Sequence, residues 1–327
     1  MGIKALRKIQ AGKETTAGTA VAATIVWRGT GTLEDQRETI FPDEDIGYLS
    51  GVDRAYCPKL LAAFSFDAVP ATFEQLPIIL SAGVKDVVSG TTDTGGSGKV
   101  YTYTFPTTSQ NTLRTWTLEG GDDSGAEEME YSFVESFEIS GNGGEAVMMS
   151  ANWIGRQVST ASFTSLSVPT VEEVLFGNGK LYIDGTTIGT TQVTNTLLGF
   201  SLNVNTGIVT KFTAEGQKYF SFATQTKPEV LLNVTFEHNA SAVTEKATWR
   251  AGTARLIRLN ITGNALTTAG TFATKLLRVD LAGKWEKFDK IGETNGNDIV
   301  TGTFRANYDP TAAKFAEIKV VNQTASY

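Results

Sequence analysis

The chain has 327 residues, 41% hydrophobic and 19% charged, enough to bury a sizeable core, which excludes a disordered chain and a disulfide-stapled miniature. Its 33 Gly against 8 Pro point to many tight turns, and a formal net charge of −7 without a basic block leaves no attractive footprint for nucleic acid. One cysteine, Cys57, and one histidine, His238, exclude an internal disulfide and leave almost nothing for a zinc site.

The segment Met1 to Lys13 carries Lys4, Arg7, Lys8 and Lys13 but no continuous apolar stretch, and no run approaches bilayer-spanning length. A protein made and kept in the cytoplasm, without a membrane partner, is expected. Leu33 to Cys57 is long and acidic (Glu34, Asp35, Glu38, Asp43, Glu44, Asp45), with Ile40, Phe41, Ile46, Tyr48 and Leu49 among the acids, and reads as a loop that docks on something. Pro70 to Leu80 predicts a short helix capped near Thr72, with Gln75 at capping-box spacing, Gly83 as a stop and Pro77 as a kink or break. Val84 to Gly98 reads as a second loop whose Gly/Ser/Thr-rich tip is too polar to offset its ordering entropy, so a mobile tip is expected.

Period-two alternation dominates the remainder. Tyr131, Phe133, Phe137 and Ile139 oppose Ser132, Ser136, Glu138 and Ser140; the Gly141–Gly144 run turns the chain, and Val147, Met149 and Trp153 line the return, which predicts a hairpin. Strands follow at Leu198–Val204, turned by Asn205-Thr206-Gly207, at Val230–Phe236, at Ile257–Ile261 and at Leu277–Leu281, each with one apolar and one polar row. A second helix is expected over Ala242 to Arg250, ended by Gly252.

Pro58 to Asp67 aligns with Pro228 to Glu237 at an offset of 170 residues, and the same offset brings the two helices together. It also lays the 131–153 hairpin on Ile299–Tyr308 and Phe315–Val321. Two copies of one β-rich unit are therefore expected, 1–170 and 171–327, with the seam near Ser165 to Gly179. The fold class is mainly β, two tandem sandwich-like units with short flanking helices.

No catalytic, cofactor-binding or metal-binding set emerges. His238 ends a strand on its apolar face, no Ser lies in a nucleophile elbow, and Gly141-Asn142-Gly143-Gly144 precedes no helix, so it is a hairpin turn rather than a phosphate cradle. Asp122-Asp123 and Glu127-Glu128 read as a solvated turn, and Cys57 has no basic neighbour to activate it. Not an enzyme and no cofactor are the expectations. Edge strands must be paired or covered, which self-assembly into a ring would achieve.

The stretches Gly12–Val21, Pro70–Pro77 and Val134–Ala151 resemble major tail tube proteins of long-tailed, non-contractile bacteriophages. The resemblance spreads over most of the chain. It implies tail-tube-type β-sandwich or barrel units whose inner sheets join neighbours around a lumen, in rings that stack through loops and terminal arms to form a DNA conduit in the virion tail. It further implies as partners other copies of the chain, tape-measure, tail-terminator and tail-tip proteins, and DNA only in passage. Single-unit relatives form rings of six; a chain twice as long predicts a trimeric ring with pseudo-sixfold symmetry, with a hexamer bearing a decoration domain as the rival. Expected stacking residues are Phe41, Ile46, Tyr48 and Leu49 and, at the shared offset, Phe212, Tyr219, Phe220 and Phe222. Expected lumen residues are Ser136, Glu138, Ser140, Ser201 and Asn203. Competing readings are a capsid-decorating or baseplate protein, or a carbohydrate-binding module using Trp285 and Tyr308.

Overall fold

The computed structural model describes residues 2–51 and 53–327 and is mainly β. The first half contains β1 (Lys8–Lys13), β2 (Ile25–Val26), β3 (Gly31–Asp35), β4 (Ala62–Pro70), α1 (Leu76–Gly83), β5 (Thr91–Thr92), β6 (Lys99–Thr104), β7 (Trp116–Gly121), β8 (Ala126–Asn142), β9 (Met148–Gly155) and β10 (Val158–Ala161). The second contains β11 (Gly179–Asp184), β12 (Gln192–Val193), β13 (Leu197–Asn205), β14 (Ile208–Lys211), β15 (Phe222–Gln225), β16 (Glu229–Glu237) and α2 (Ala240–Arg250). It continues with β17 (Arg255–Ala265), β18 (Thr274–Phe288), β19 (Gly292–Thr294), β20 (Asn297–Ala306) and β21 (Ala316–Asn322).

The two halves repeat one set of antiparallel pairings. In the first, β1 pairs with β2 and β7, β7 with β8, β8 with β9 and β10, and β4 with both β9 and β3. In the second, β11 pairs with β12 and β17, β17 with β18, β18 with β20 and β21, and β16 with both β20 and β13. α1 packs on β8 and α2 on β18. Each half therefore has an outer sheet, a four-stranded inner sheet and a long strand, β8 or β18, that passes from one to the other.

β8 changes sheets through an irregularity. Tyr131, with φ 55°, lies in the left-handed region, and its N–H donates to Glu14 Oε1 at 2.7 Å, so a carboxylate that is only 1% exposed supplies the acceptor. The core lies between the sheets, where alternate residues of the inner strands point inward: Phe64, Trp153, Phe137 and Ile139 in one half, Leu202, Leu232, Val234, Phe236 and Phe304 in the other. Burying each such side chain contributes roughly 1.5–3 kcal/mol.

Several expectations need correction. The first helix starts at Leu76, not at Thr72: Thr72 Oγ1 accepts from Gln75 N–H at 3.2 Å in the preceding turn, and Pro77 sits in the first helical turn, where its missing N–H costs nothing. The second helix begins at Ala240 because the Asn239 side chain accepts from the N–H groups of Ser241 and Ala242, and it ends before Gly252, φ 63°. Leu33 to Asp35 belong to β3 rather than to a loop. Leu198 is exposed because a register shift between Leu197 and Gly199 turns it out of the apolar row. Asp280, expected on a wet face, is buried against Arg258 in a two-pronged pair at 2.7 Å. The tip at 89–98 is fastened to the second half: Ser97 N–H donates to Thr268 O at 3.0 Å and Phe272 N–H to Asp93 Oδ2 at 2.9 Å.

Candidate functional site

The inner sheets of the two halves are joined into one. β13 pairs with the C-terminal part of β8 over seven residues, from Gly199 opposite Asn142 to Asn205 opposite Ser136. The result is an eight-stranded antiparallel sheet in the order β3-β4-β9-β8-β13-β16-β20-β18, the last four strands repeating the first four.

One face of this sheet is core; the other carries small polar side chains. Ser136, Glu138, Ser140, Ser201 and Asn203 all lie on that second face, on the two strands that meet at the joint: Ser201 stands opposite Ser140 and Asn203 opposite Glu138. Ser201 Oγ donates to Glu138 Oε1 at 2.9 Å and Asn203 Nδ2 to Ser201 Oγ at 2.7 Å. The row extends sideways through Asn152, whose Nδ2 donates to Ser136 Oγ at 3.1 Å, and through Asn233, which accepts from Thr303 Oγ1 at 2.7 Å. Pairing these groups among themselves leaves a hydrated surface that presents little fixed positive charge.

The sheet ends in two open edges. β3 pairs with β4 on one side, and β18 beyond Gly283 pairs with β20; the opposite sides have no partner strand among the described residues. The end of β18 and the residues after it carry Lys284, Lys287 and Lys290 interspersed with Glu286 and Asp289, a small positive excess, while β3 carries Glu34 and Asp35, the latter paired with Arg37.

The two long connections lie at the same end of the sheet, between β3 and β4 and between β13 and β16. Phe41, Ile46, Tyr48 and Leu49 are exposed on the first, and Phe212 and Phe222 on the second. Tyr219 is half-buried, and Phe220 is fully buried, stacked on Tyr131 at 5.3 Å between centroids, so Phe220 anchors its own loop and offers no surface to a stacking neighbour. Trp285, a candidate for sugar stacking, is likewise buried in the core against Phe236 and Phe304; Tyr308 is exposed.

Chemistry-bearing groups are dispersed. His238 is half-buried, with its N–H donating to Asp298 O at 2.9 Å, and Cys57 Sγ lies 3.3 Å from Lys59 O. Among the described residues no group of three or more His, Cys, Asp and Glu is placed to hold a metal ion, and no helix is long and apolar enough to cross a membrane. Burial raises the carboxyl pKa of Glu119, Glu128 and Glu130 on β7 and β8 above the usual range. Glu119 and Glu128 stand opposite each other on β7 and β8, and Glu130 follows two residues along β8.

No family model matches the chain, and no curated protein matches it.

Arg156 was not singled out by its sequence context. Its guanidinium lies 4.2 Å from the centroid of Tyr131 and 4.9 Å from that of Tyr219, and it donates to the Phe220 and Ser221 carbonyls at 3.0 and 2.7 Å. The carbonyls it holds are more than 60 residues away in the chain, so no local pattern could have shown it.

Proposed function

We propose that the chain is a structural subunit that joins head to tail into closed rings, which stack into a hollow tube of the kind the resemblance to phage tail tube proteins implies. The observation that carries this reading is the eight-stranded sheet itself. Within one chain the edge of the first inner sheet, β8, is completed by the first strand of the second, β13. The equivalent edge of the second inner sheet, β18 beyond Gly283, is open, and so is β3, the strand equivalent to β13.

Repeating the internal joint between copies pairs β18 of one with β3 of the next and removes both open edges. Such a contact is heterologous, and it closes into a ring if the rotation per unit divides a full turn. Three chains then supply the six units that the resemblance implies. The polar face with Ser136, Glu138, Ser140, Ser201 and Asn203 lines the lumen, where hydroxyl and amide groups around the Glu138 carboxylate and a net charge of −7 let DNA pass without gripping its phosphates. The repeated pairings of the two halves are read as an internal duplication. A non-enzymatic role in a virion tail, with tape-measure, terminator and tip proteins as further partners, follows from the same reading.

Negative-stain microscopy of concentrated protein, with mass photometry of dilute samples, tests it. Hollow rings of three chains, singly or stacked, are expected. Rings of six chains keep the tube and overturn the trimer; a monomer at every concentration, even with tail-tip components added, overturns the assembly reading.

A further inference from the structure

The connection between β13 and β16 does more than link two strands. It folds over the corner at which β9 passes into β10: Leu60 N–H donates to Lys218 O at 3.0 Å, Arg156 holds the Phe220 and Ser221 carbonyls, and Phe220 is buried on Tyr131. Lys59 Nζ lies 5.6 Å from the centroid of Phe212. The second half thus grips the first beside the joint of β8 and β13.

The repeated topology supplies the same two parts a second time, separated. The corner of the second half, where β20 leads toward β21, is an open cleft of about 730 Å³ whose walls include Lys227, Pro228, Asn307, Tyr308 and Phe315. The connection that corresponds to the gripping one, between β3 and β4, extends from the body with Phe41, Tyr48 and Leu49 at 70%, 64% and 107% exposure. It is braced by a bridge between Ile40 and Tyr56 and an ion pair between Arg54 and Glu44. Gripping loop and cleft lie beside opposite open edges of the sheet, so they meet only between copies.

We propose that the β3–β4 connection of one copy seats in the β20–β21 corner cleft of its neighbour within the ring, placing aromatic side chains of the 41–48 stretch against Tyr308 and Phe315 as Phe220 sits on Tyr131. This rests on the ring reading above, but it assigns the loop to a lateral clamp rather than to the next ring in the stack. Charge favours the pairing modestly: the loop carries Asp43 and Asp45 besides the Glu44 paired with Arg54, while Lys227 borders the cleft, where Arg305 and Glu229 neutralise each other, and the edge beside it has three lysines against Glu286 and Asp289. A clamp over each strand joint also explains why both halves carry a long connection at this place, since seven paired residues alone form a short and exposed interface.

Thr108 is exposed on the rim of the cleft. Thr108→Cys in a Cys57→Ser background, labelled with a benzophenone maleimide and assembled from a mixture of light and heavy-isotope copies, is irradiated and the adducts are mapped by mass spectrometry. Adducts between copies that fall in residues 36–51, and that form in single unstacked rings, are the expected result. In addition, Tyr308→Asp, at an exposed position that leaves the subunit folded, raises the concentration needed for ring formation at least tenfold. Well-formed rings with adducts elsewhere, or with adducts only after stacking, overturn the clamp and leave the ring reading intact. If the Cys57→Ser parent and the unaltered chain form no rings at all, the ring reading falls and the clamp with it.

Discussion

Glu135 and Glu286 hold the same place in the two halves: each is the bulged residue at which the long strand shifts register against its inner-sheet partner, between Val134 and Ser136 on β8 and between Trp285 and Lys287 on β18. Each bulge lies within the inner-sheet pairing, three residues beyond the point where the strand leaves its outer sheet, and both glutamates are exposed there. They are 151 residues apart, whereas Phe64 and Leu232, equivalent through their partners Trp153 and Phe304, are 168 apart. A single offset of 170 therefore matched β4 with β16 and the helices, but laid the β8–β9 hairpin on β20 and β21. By pairing, β8 and β9 correspond to β18 and β20. The β5–β6 excursion between α1 and β7 has no counterpart between α2 and β17, which is why the offset drifts.

The open edge of β18 can be tested by removing one donor. Asp289 N–H donates to Thr301 O at 2.9 Å, so by strand alternation the Lys290 N–H points away from β20. Lys290→Pro is expected to leave the monomer's Tm within about 2 °C, in line with the small effect of surface substitutions, while abolishing ring closure by mass photometry. Rings that form normally would show that this edge is not the joint.

Much of this was legible where alternation was clean. Val230 to Phe236 and the stretch from Ser136 to Ser140 announce themselves because one face is buried and the other wet, and the five polar residues expected at the lumen share one face. The alternation expected from Tyr131 fails at its start, where Ser132 is buried with Phe133 and Val134 and Tyr131 is only half-buried as β8 crosses between sheets. What was not legible depends on distant partners. Phe220 looks like its exposed neighbours Phe212 and Phe222 until Arg156 and Tyr131 are brought beneath it. Asp280 looks solvated until Arg258 crosses from β17.

Arg156 should be the residue on which the second loop depends. Arg156→Ala removes two hydrogen bonds and the cation–π contacts with Tyr131 and Tyr219. A loss of roughly 1–3 kcal/mol is expected by denaturant titration, with faster proteolysis at 212–221 than elsewhere. Arg156→Lys, which keeps the charge but not the forked geometry, recovers less than half of it. Unchanged proteolysis would mean that Phe220 holds the loop alone.

The outer-sheet carboxylates give an unusual response to acid. Burial holds Glu119, Glu128 and Glu130 above their ordinary 4.5, so each binds its proton more tightly folded than unfolded. The stability these groups contribute is therefore full below 4.5 and is lost as pH rises through their raised values. Acidifying from pH 7.5 to 5.5 should hold or raise Tm, and Glu130→Gln should raise Tm at pH 7.5 while reducing the pH dependence. A Tm that falls on acidification and is insensitive to Glu130→Gln would contradict this assignment.

Lys275 ties three parts of the chain together. Its ammonium lies 2.6 Å from Glu74 before α1 and 2.9 Å from Glu172 in the stretch joining the halves, all three side chains being less than one-fifth exposed. Burial alone would lower the lysine pKa, but the hydrogen bonds and charges of the two carboxylates outweigh it and raise it. Removing the cation leaves those carboxylates facing each other in a partly dry site, which costs more than the pair itself contributed. Lys275→Met is expected to lose about 2–4 kcal/mol in urea titration, to open the 162–178 segment to proteases, and to regain most of the loss when combined with Glu74→Gln. If the double variant is as unstable as the single one, the cost lies in packing of the lysine stem and not in the unpaired acids.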